Sequence, residues 1–271
     1  MATTTAFDEY ERRTWDGKAE AFAGSFAQLC AYTVPQLLDA AEVRADVRVL
    51  DVGTGTGTAA VAACERGAKV TAVDAEPSMV ELAAQAAPAA DVRVAILPQL
   101  PFDDGQFDAV VSNFVLNHVG RPRDTLAELR RVVRPGGRIA LTIWSVPAAP
   151  GQALLGRAVE AAGVQRPPHL PPLAPEDDFP RSPQGLTALL VAAGFRDVQC
   201  GTLRWDHRAE PEVWWGGPAA GIAFIGQLVM SQTEETRAEI KHHFDLLCKE
   251  FTGADGQLVL PHEALLVDAR R

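Results

Sequence analysis

The stretch "VLDVGTGTGTAA", residues 49–60, sets three glycines at alternate positions directly behind an apolar run that contains Asp51. A strand, a glycine-rich turn and the start of a helix read in that order. Such a turn can hold a dinucleotide, a nucleoside triphosphate or a nucleoside-like cofactor. The triphosphate loop needs G-x-x-x-x-G-K-[ST], and no lysine falls between residues 19 and 68. The dinucleotide fingerprint G-x-G-x-x-G puts its third glycine where this chain has Thr58. Asp51, two positions before the first glycine, repels a pyrophosphate but attracts an ammonium or sulfonium group. The loop reads as a seat for a cationic, nucleoside-linked ligand.

Outward from that loop, short apolar runs alternate with helical stretches. Residues 47–52, 69–74, 92–97, 107–114 and 138–144 are almost continuously apolar, as strands covered on both faces must be. "GTAAVAACERG", "PSMVELAAQAA" and "RDTLAELRRVV" lie between them with helical spacing; Pro77 and Pro122 fall near first turns, and "RPGG" follows the last helix. Repeated β-α-β units of this length predict an α/β, mostly parallel, doubly wound sheet with ligands at the carboxyl ends of its strands. Asp51 to Gly57, Asp74, Leu97 and Asn113 all fall at or just after such ends.

The flanks divide the chain further. Residues 1–42 are expected to form an N-terminal helical lid, with Trp15, Phe22, Phe26, Leu29 and Leu37 as its apolar stripe. Residues 43–208 make the core, interrupted at 145–183 by a loop whose "RPPHLPPLAPEDDFP" is too proline-dense for regular structure. A helix opening at Ser182 and a strand over "DVQCGTLRW" follow. Residues 209–256 read as a helical cap of two helices, 211–229 and 233–251, and residues 257–271 as the last strand.

Bulk properties narrow the partners. A net charge of -10 without a basic block disfavours nucleic acid. Cys30, Cys64, Cys200 and Cys248 form no C-x-x-C pair, which fits buried thiols in a reducing compartment rather than a zinc site, and no metal is expected. The N-terminus lacks a signal-peptide pattern and no 18-residue apolar stretch occurs, so a cytoplasmic protein without stable membrane insertion is expected. The sequence says nothing of oligomeric state.

"VLDVGTGTG", "VTAVDAEPSMVELA", "LPFDDGQFDAVVSNFVLNHV" and "ELRRVVRPGGRIALTIW" resemble the successive motifs of the class I S-adenosylmethionine-dependent methyltransferases, in the branch related to quinone-biosynthesis C-methyltransferases. The resemblance covers roughly residues 43–146 and weakens up to 208. It implies a Rossmann-like sheet of seven strands in the order 3-2-1-4-5-7-6, the last antiparallel. S-adenosyl-L-methionine is the implied cofactor and S-adenosyl-L-homocysteine its product. On the matching positions, Gly53, Thr54, Gly55 and Gly57 would approach the methionine portion and ribose, and Asp51 the amino group. Asp74 would accept from both ribose hydroxyls, Ala75 and Met79 would pack on adenine, and Asn113 would reach the methionine end. Where relatives carry an acidic residue after the third strand this chain has Ile96, so adenine would depend on Leu97, Pro98 or Gln99. Glu128 and Arg131 resemble a structural pair of the family.

Methyl transfer from a sulfonium is an in-line displacement, so the protein supplies orientation, desolvation and, where the acceptor loses a proton, a base. His118 in "VLNHV" is the leading candidate base. Trp144, His169, Trp214 and Trp215 are candidates to line an acceptor site, with Trp15 and Phe22 as a lid. His207 is expected at the surface, and adjacent His242 and His243 are poorly spaced for a shared metal. The expected function is methylation of a small apolar or aromatic metabolite at O, N or C. A nicotinamide-dependent oxidoreductase, a cofactor-binding regulator and a cyclase remain alternatives.

Overall fold

The computed structural model describes residues 4–165, 167 and 171–271, so His169 lies outside the described residues. Strands β1 (Arg48–Val52), β2 (Lys69–Asp74), β3 (Asp91–Val94), β4 (Phe107–Asn113), β5 (Val133–Trp144), β6 (Arg196–Ala209) and β7 (Leu258–Arg270) form one seven-stranded sheet. Its order is β3-β2-β1-β4-β5-β7-β6. The first five strands pair in parallel, and β7 runs antiparallel to both β5 and β6. The strand order reverses between β1 and β4, which opens a crevice at their carboxyl ends.

Both faces of the sheet are covered, which is why the central strands read as unbroken apolar runs. Leu50, Val110, Ile139 and Leu141 enter one core with α7 (Pro122–Val132) and α9 (Pro183–Ala192). Val49, Ala109, Val111 and Ala140 enter the other with α4 (Val34–Ala40) and α5 (Thr58–Glu65). Ser182 caps α9 by accepting from the Gly185 N–H, as its sequence suggests. α6 (Pro77–Ala86) returns the chain from β2 to β3.

Several expectations need correction. β3 ends at Val94, and the rest of the 92–97 run turns away through an Ile96–Gln99 bridge, leaving Ile96 exposed. The N-terminal region is four short helices, α1 (Ala6–Trp15), α2 (Ala19–Ala23), α3 (Ala27–Ala31) and α4. Gly17 at φ +65° separates the first two. The 145–183 segment contains a helix, α8 (Leu154–Ala161), whose Leu154, Leu155, Ala158 and Val159 are buried; two turns beside a proline-dense stretch give little periodic signal. The single helix expected over 211–229 is two, α10 (Pro211–Ala219) and α11 (Ala223–Met230), meeting at 73°. Pro218 and Gly221 at φ +75° break it. α12 (Glu234–Cys248) follows, with Thr233 accepting from the Thr236 N–H. Among the described residues no single helix is long and apolar enough to cross a membrane, and no group of three or more His, Cys, Asp or Glu could hold a metal ion.

Candidate active site

At the end of β1 the chain turns sharply through Gly53 (φ +69°) and Gly55 (φ +54°) and enters α5 from Gly57 (φ +87°). A Cβ on Gly53 would stand 2.2 Å from Val115, and one on Gly57 would stand 2.9 Å from the Ala83 backbone, so conformation and space both require glycine. The N–H groups of Gly53 and Thr54 donate to the Val73 carbonyl at 2.8 and 3.0 Å, binding the loop to β2. The two carboxylates below it are arranged differently. Asp74 accepts from the Gly55 N–H at 2.8 Å and the Glu76 N–H at 3.0 Å, one on each oxygen. Burial raises its pKa, and those backbone bonds oppose the rise. Asp51 is fully buried, accepts from the Thr54 hydroxyl at 2.7 Å on Oδ2, and among the described residues has no hydrogen-bond partner on Oδ1. Burial pushes its pKa up to about 7 against that bond, and the Asp74 charge adds to the rise. A buried carboxylate with an idle oxygen is a receptor for a cation.

The N-terminal helices close over this loop. A Gly55 side chain would begin 3.5 Å from the Phe22 ring, and Phe22 meets Trp15 edge-on at 5.5 Å. The buried Glu11 of α1 joins the lid to the sheet side: its Oε2 takes His118 Nδ1 at 2.8 Å and Trp15 Nε1 at 3.2 Å. His118 sits in a single 3-10 turn after β4 and meets the Trp15 ring edge-on at 5.4 Å. Burial lowers its pKa, but the Glu11 charge and hydrogen bond outweigh that and leave it raised.

A cavity of about 1920 Å³ runs from this loop toward β5 and β7. Its far end is aromatic. Trp144 stacks on Phe114 at 4.0 Å, and the rings of Trp205, His207, Trp214 and His262 gather beside it. Phe224, Ile225 and Leu228 of α11 contribute to its lining. Beneath the near end, Glu128 accepts from the Leu100 N–H at 2.6 Å and pairs with Arg131 at 2.8 Å; Arg131 also donates to the Leu100 and Phe102 carbonyls, fixing the turn after Leu97 and Pro98.

Residues 50–141 match the family described as Methyltransferase domain. A demethylmenaquinone methyltransferase of Clavibacter sepedonicus is 43% identical over 107 residues, which cover 38% of this chain and 43% of that protein. One from Beutenbergia cavernae is 35% identical over 170 residues, 59% of this chain and 70% of that protein. The chain thus spans under half the length of the first of these relatives and over two thirds of the second. The chain belongs to the class I S-adenosylmethionine-dependent methyltransferases. Its fold is also that of the Haemonchus contortus phosphoethanolamine N-methyltransferase 2 in complex with phosphomonomethylethanolamine and S-adenosylhomocysteine. That likeness has a TM-score of 0.60 at 16% identity and covers 99% of this chain and 60% of the other.

The cofactor of this methyltransferase is S-adenosylmethionine, and the β1–β2 end of the cavity fits it. The idle Asp51 oxygen suits the amino group, the glycine backbone leaves room for close approach, and Asp74 retains lone pairs beyond its two backbone bonds. Asp51, Gly53, Thr54, Gly55, Asp74, Ala75, Met79, Leu97, Pro98, Asn113 and His118 all line the cavity, as do Trp15, Phe22, Trp144 and Trp214. Gly57 does not; it starts α5 and lets that helix pack against α6. Asn113 has its amide committed elsewhere, accepting from Thr33 and Thr142 and donating to the Cys30 carbonyl, so it anchors the N-terminal helices to β4 and β5. Trp215 is outside the cavity: next to Trp214 on α10 it points about 100° away and packs on Phe244 at 5.2 Å, under Lys241. His207 is buried, not at the surface, because β6 continues past Trp205 with that side facing in. His243 pairs with Glu239 at 3.1 Å.

Sequence reasoning missed Glu11, Gln152, Trp205 and His262. Glu11 meets His118 across 107 positions of sequence, for which no local pattern exists. His262 had a usable signal, since alternate residues of β7 from Leu258 to Ala264 are buried and it shares their face.

Proposed function

We propose that the protein methylates a small, uncharged aromatic or apolar metabolite, with a lid of α1–α3 and the α10–α12 cap of residues 209–256 shielding the reaction from water. Helix α4, with Leu37, covers the sheet and is no part of the lid. The observation that carries this reading is one continuous cavity of about 1920 Å³ with a cation receptor at one end and stacked aromatic rings at the other. Single-ligand sites occupy about 300–1,000 Å³, so this volume takes two molecules end to end. The name of the 35–43% identical relatives supports an aromatic acceptor.

Asp74 would hold the ribose diol, Asp51 the amino group, and Ala75 and Met79 the adenine, with Leu97 and Pro98 at its edge. Bound there, S-adenosylmethionine supplies an activated methyl group. The chain's task is alignment and proton handling. Glu11 accepts from His118 Nδ1, which fixes the tautomer and leaves Nε2 to accept a proton from the acceptor. The raised pKa strengthens that base. Trp15 and Phe22 exclude water above, while Trp144 and Trp214 face the acceptor.

The test couples calorimetry with S-adenosylhomocysteine to transfer from methyl-labelled S-adenosylmethionine into a panel of phenols, naphthols and anilines. One-to-one binding with label recovered in an aromatic product is expected. Binding of S-adenosylhomocysteine with label in none of the panel overturns the aromatic acceptor.

A further inference from the structure

β5 stops at Trp144, opposite Ala264, but the pairing of β6 with β7 runs on through Trp205–His262 and His207–Leu260 to Ala209–Leu258. A two-stranded ribbon therefore stands beyond the sheet's edge, over the end of the cavity away from the glycine loop. Its inner face sets Trp205, His207 and His262 against Trp144 and Trp214, with centroids 5.1 to 6.2 Å apart. Such a box would ordinarily be a sealed apolar core. Here, among the described residues, Trp214 Nε1 and Gln152 Oε1, both on residues that line the cavity, are buried without a hydrogen-bond partner; so are Nε1 of Trp205 and Nδ1 of His207, residues that do not line it. Orphaned buried polar atoms are destabilising, and the two on the cavity wall mark a place where a ligand supplies the missing groups.

His262 gives that place a polarity. It lines the cavity, is 2% exposed, and has Nδ1 2.8 Å from the Leu260 carbonyl. A carbonyl only accepts, so Nδ1 carries the proton and Nε2 the lone pair. Burial lowers the pKa of both His262 and His207, and no carboxylate pairs with either among the described residues. The box is neutral, so an anion or a cation entering it would lose its hydration without compensation.

We propose that this box is the acceptor subsite and that it selects an uncharged aromatic ring bearing a hydroxyl, seated on Trp144. The hydroxyl donates to His262 Nε2, and its oxygen accepts from the Trp214 indole N–H. His262 and Trp214 are thereby specificity-determining residues. The assignment of this ring as a methyl acceptor rests on the methyl-transfer reading above.

Equilibrium dialysis of 1-naphthol, naphthalene and 1-naphthoate against protein saturated with S-adenosylhomocysteine tests it. The three share a ring system and differ in the hydroxyl and the charge. We expect 1-naphthol to bind ~30-fold more tightly than naphthalene, the size of two buried hydrogen bonds at ~5-fold each, and 1-naphthoate to bind most weakly. His262→Phe should cut the preference for 1-naphthol ~5-fold while leaving naphthalene binding unchanged. Trp214→Phe, which keeps a ring in place, repeats the comparison should the first variant not fold. Equal binding of 1-naphthol and naphthalene by the parent protein, or an undiminished preference in a folded His262→Phe or Trp214→Phe variant, overturns the proposal. Calorimetry with S-adenosylhomocysteine on the same samples separates the two readings. Selective 1-naphthol binding by a protein that does not bind S-adenosylhomocysteine would sustain the subsite and overturn the methyl-transfer reading.

Discussion

At the β1–β2 end of the cavity, polar partners are near neighbours along the chain or across one strand pair: Thr54 bonds to Asp51, and Asp74 serves Gly55 and Glu76. At the β5–β7 end, Trp144, Trp214 and His262 come from three elements, and among the described residues Trp214 Nε1 and Gln152 Oε1 have no hydrogen-bond partner. The near end is therefore held in shape by its own backbone and has one idle carboxylate oxygen waiting for a cation. The far end is shaped by ring packing and relies on what enters it for its hydrogen bonds. The site is thus rigid at the end that fits the cofactor and assembled from distant parts at the end proposed for the acceptor.

The contrast predicts effects that separate by end. Asp74→Ala should be the most damaging change. It removes the carboxylate proposed to hold the ribose diol and the two backbone bonds that shape the loop. Two charge-assisted hydrogen bonds lost together correspond to ~100-fold weaker S-adenosylhomocysteine binding by calorimetry. Binding of 1-naphthol should change less than twofold, as about 0.4 kcal/mol or less would reach the far end. A parallel collapse of both would show that the ends are not independent.

Asp51 tests the same end through protons. With a pKa of about 7 it is mostly protonated at pH 6, and an ammonium group beside it favours the carboxylate. Binding of S-adenosylhomocysteine at pH 6 should therefore release about one proton, and affinity should rise as pH passes through Asp51's raised pKa. Calorimetry in buffers of differing ionisation enthalpy reads the proton directly. Asp51→Asn should abolish the release and weaken binding ~10-fold, a typical cost for one charged hydrogen bond.

The same contrast explains what could be read from sequence. Asp51, the three glycines and Asp74 lie in two short strand-turn-helix segments, so strand periodicity and turn chemistry put them at one edge of the sheet before any tertiary contact is known. The strand order came from the resemblance of the motifs, and the observed sheet has it. His262 lines the site, with His207 buried beside it, only because the β6–β7 ribbon outruns β5, a length difference set by pairing between strands about 50 residues apart. α8 was hidden because two helical turns beside prolines carry too few periodic positions. Trp214 and Trp215 were inseparable by composition, and only the rotation of α10 distinguishes them.

The lid closes over the β1–β2 end without forming its polar floor, and should give an intermediate effect. Glu11 ties α1 to His118, whose folded pKa is raised above the ordinary imidazole value of 6.5. That contribution is complete below the unfolded pKa and is lost as pH rises through the folded one. Hydrogen exchange over residues 6–23 should accelerate with pH in that window beyond its intrinsic rise. Glu11→Gln should remove the pH dependence and speed S-adenosylhomocysteine dissociation ~5-fold, about 1 kcal/mol of lost closure. Unchanged exchange in the variant would mean that Phe22 and Trp15 packing alone holds the lid.

Trp215 supplies the smallest functional effect and the sharpest control. It neighbours Trp214 in sequence, has the same chemistry and sits on the same helix, yet it faces Phe244 and Lys241 on α12 instead of the cavity. Trp215→Leu removes one partly buried ring contact, so a loss of about 1–2 kcal/mol and a Tm lower by roughly 3–6 °C is expected. S-adenosylhomocysteine affinity and the preference for 1-naphthol over naphthalene should stay within twofold of the parent, about 0.4 kcal/mol. Trp214→Phe shrinks a buried ring, so it should lower Tm too, but unlike Trp215→Leu it should also cut the preference. If the two substitutions instead altered selectivity alike, the far end would be responding to the general stability of the cap, and the directed hydrogen bonds assigned to Trp214 and His262 would lose their support.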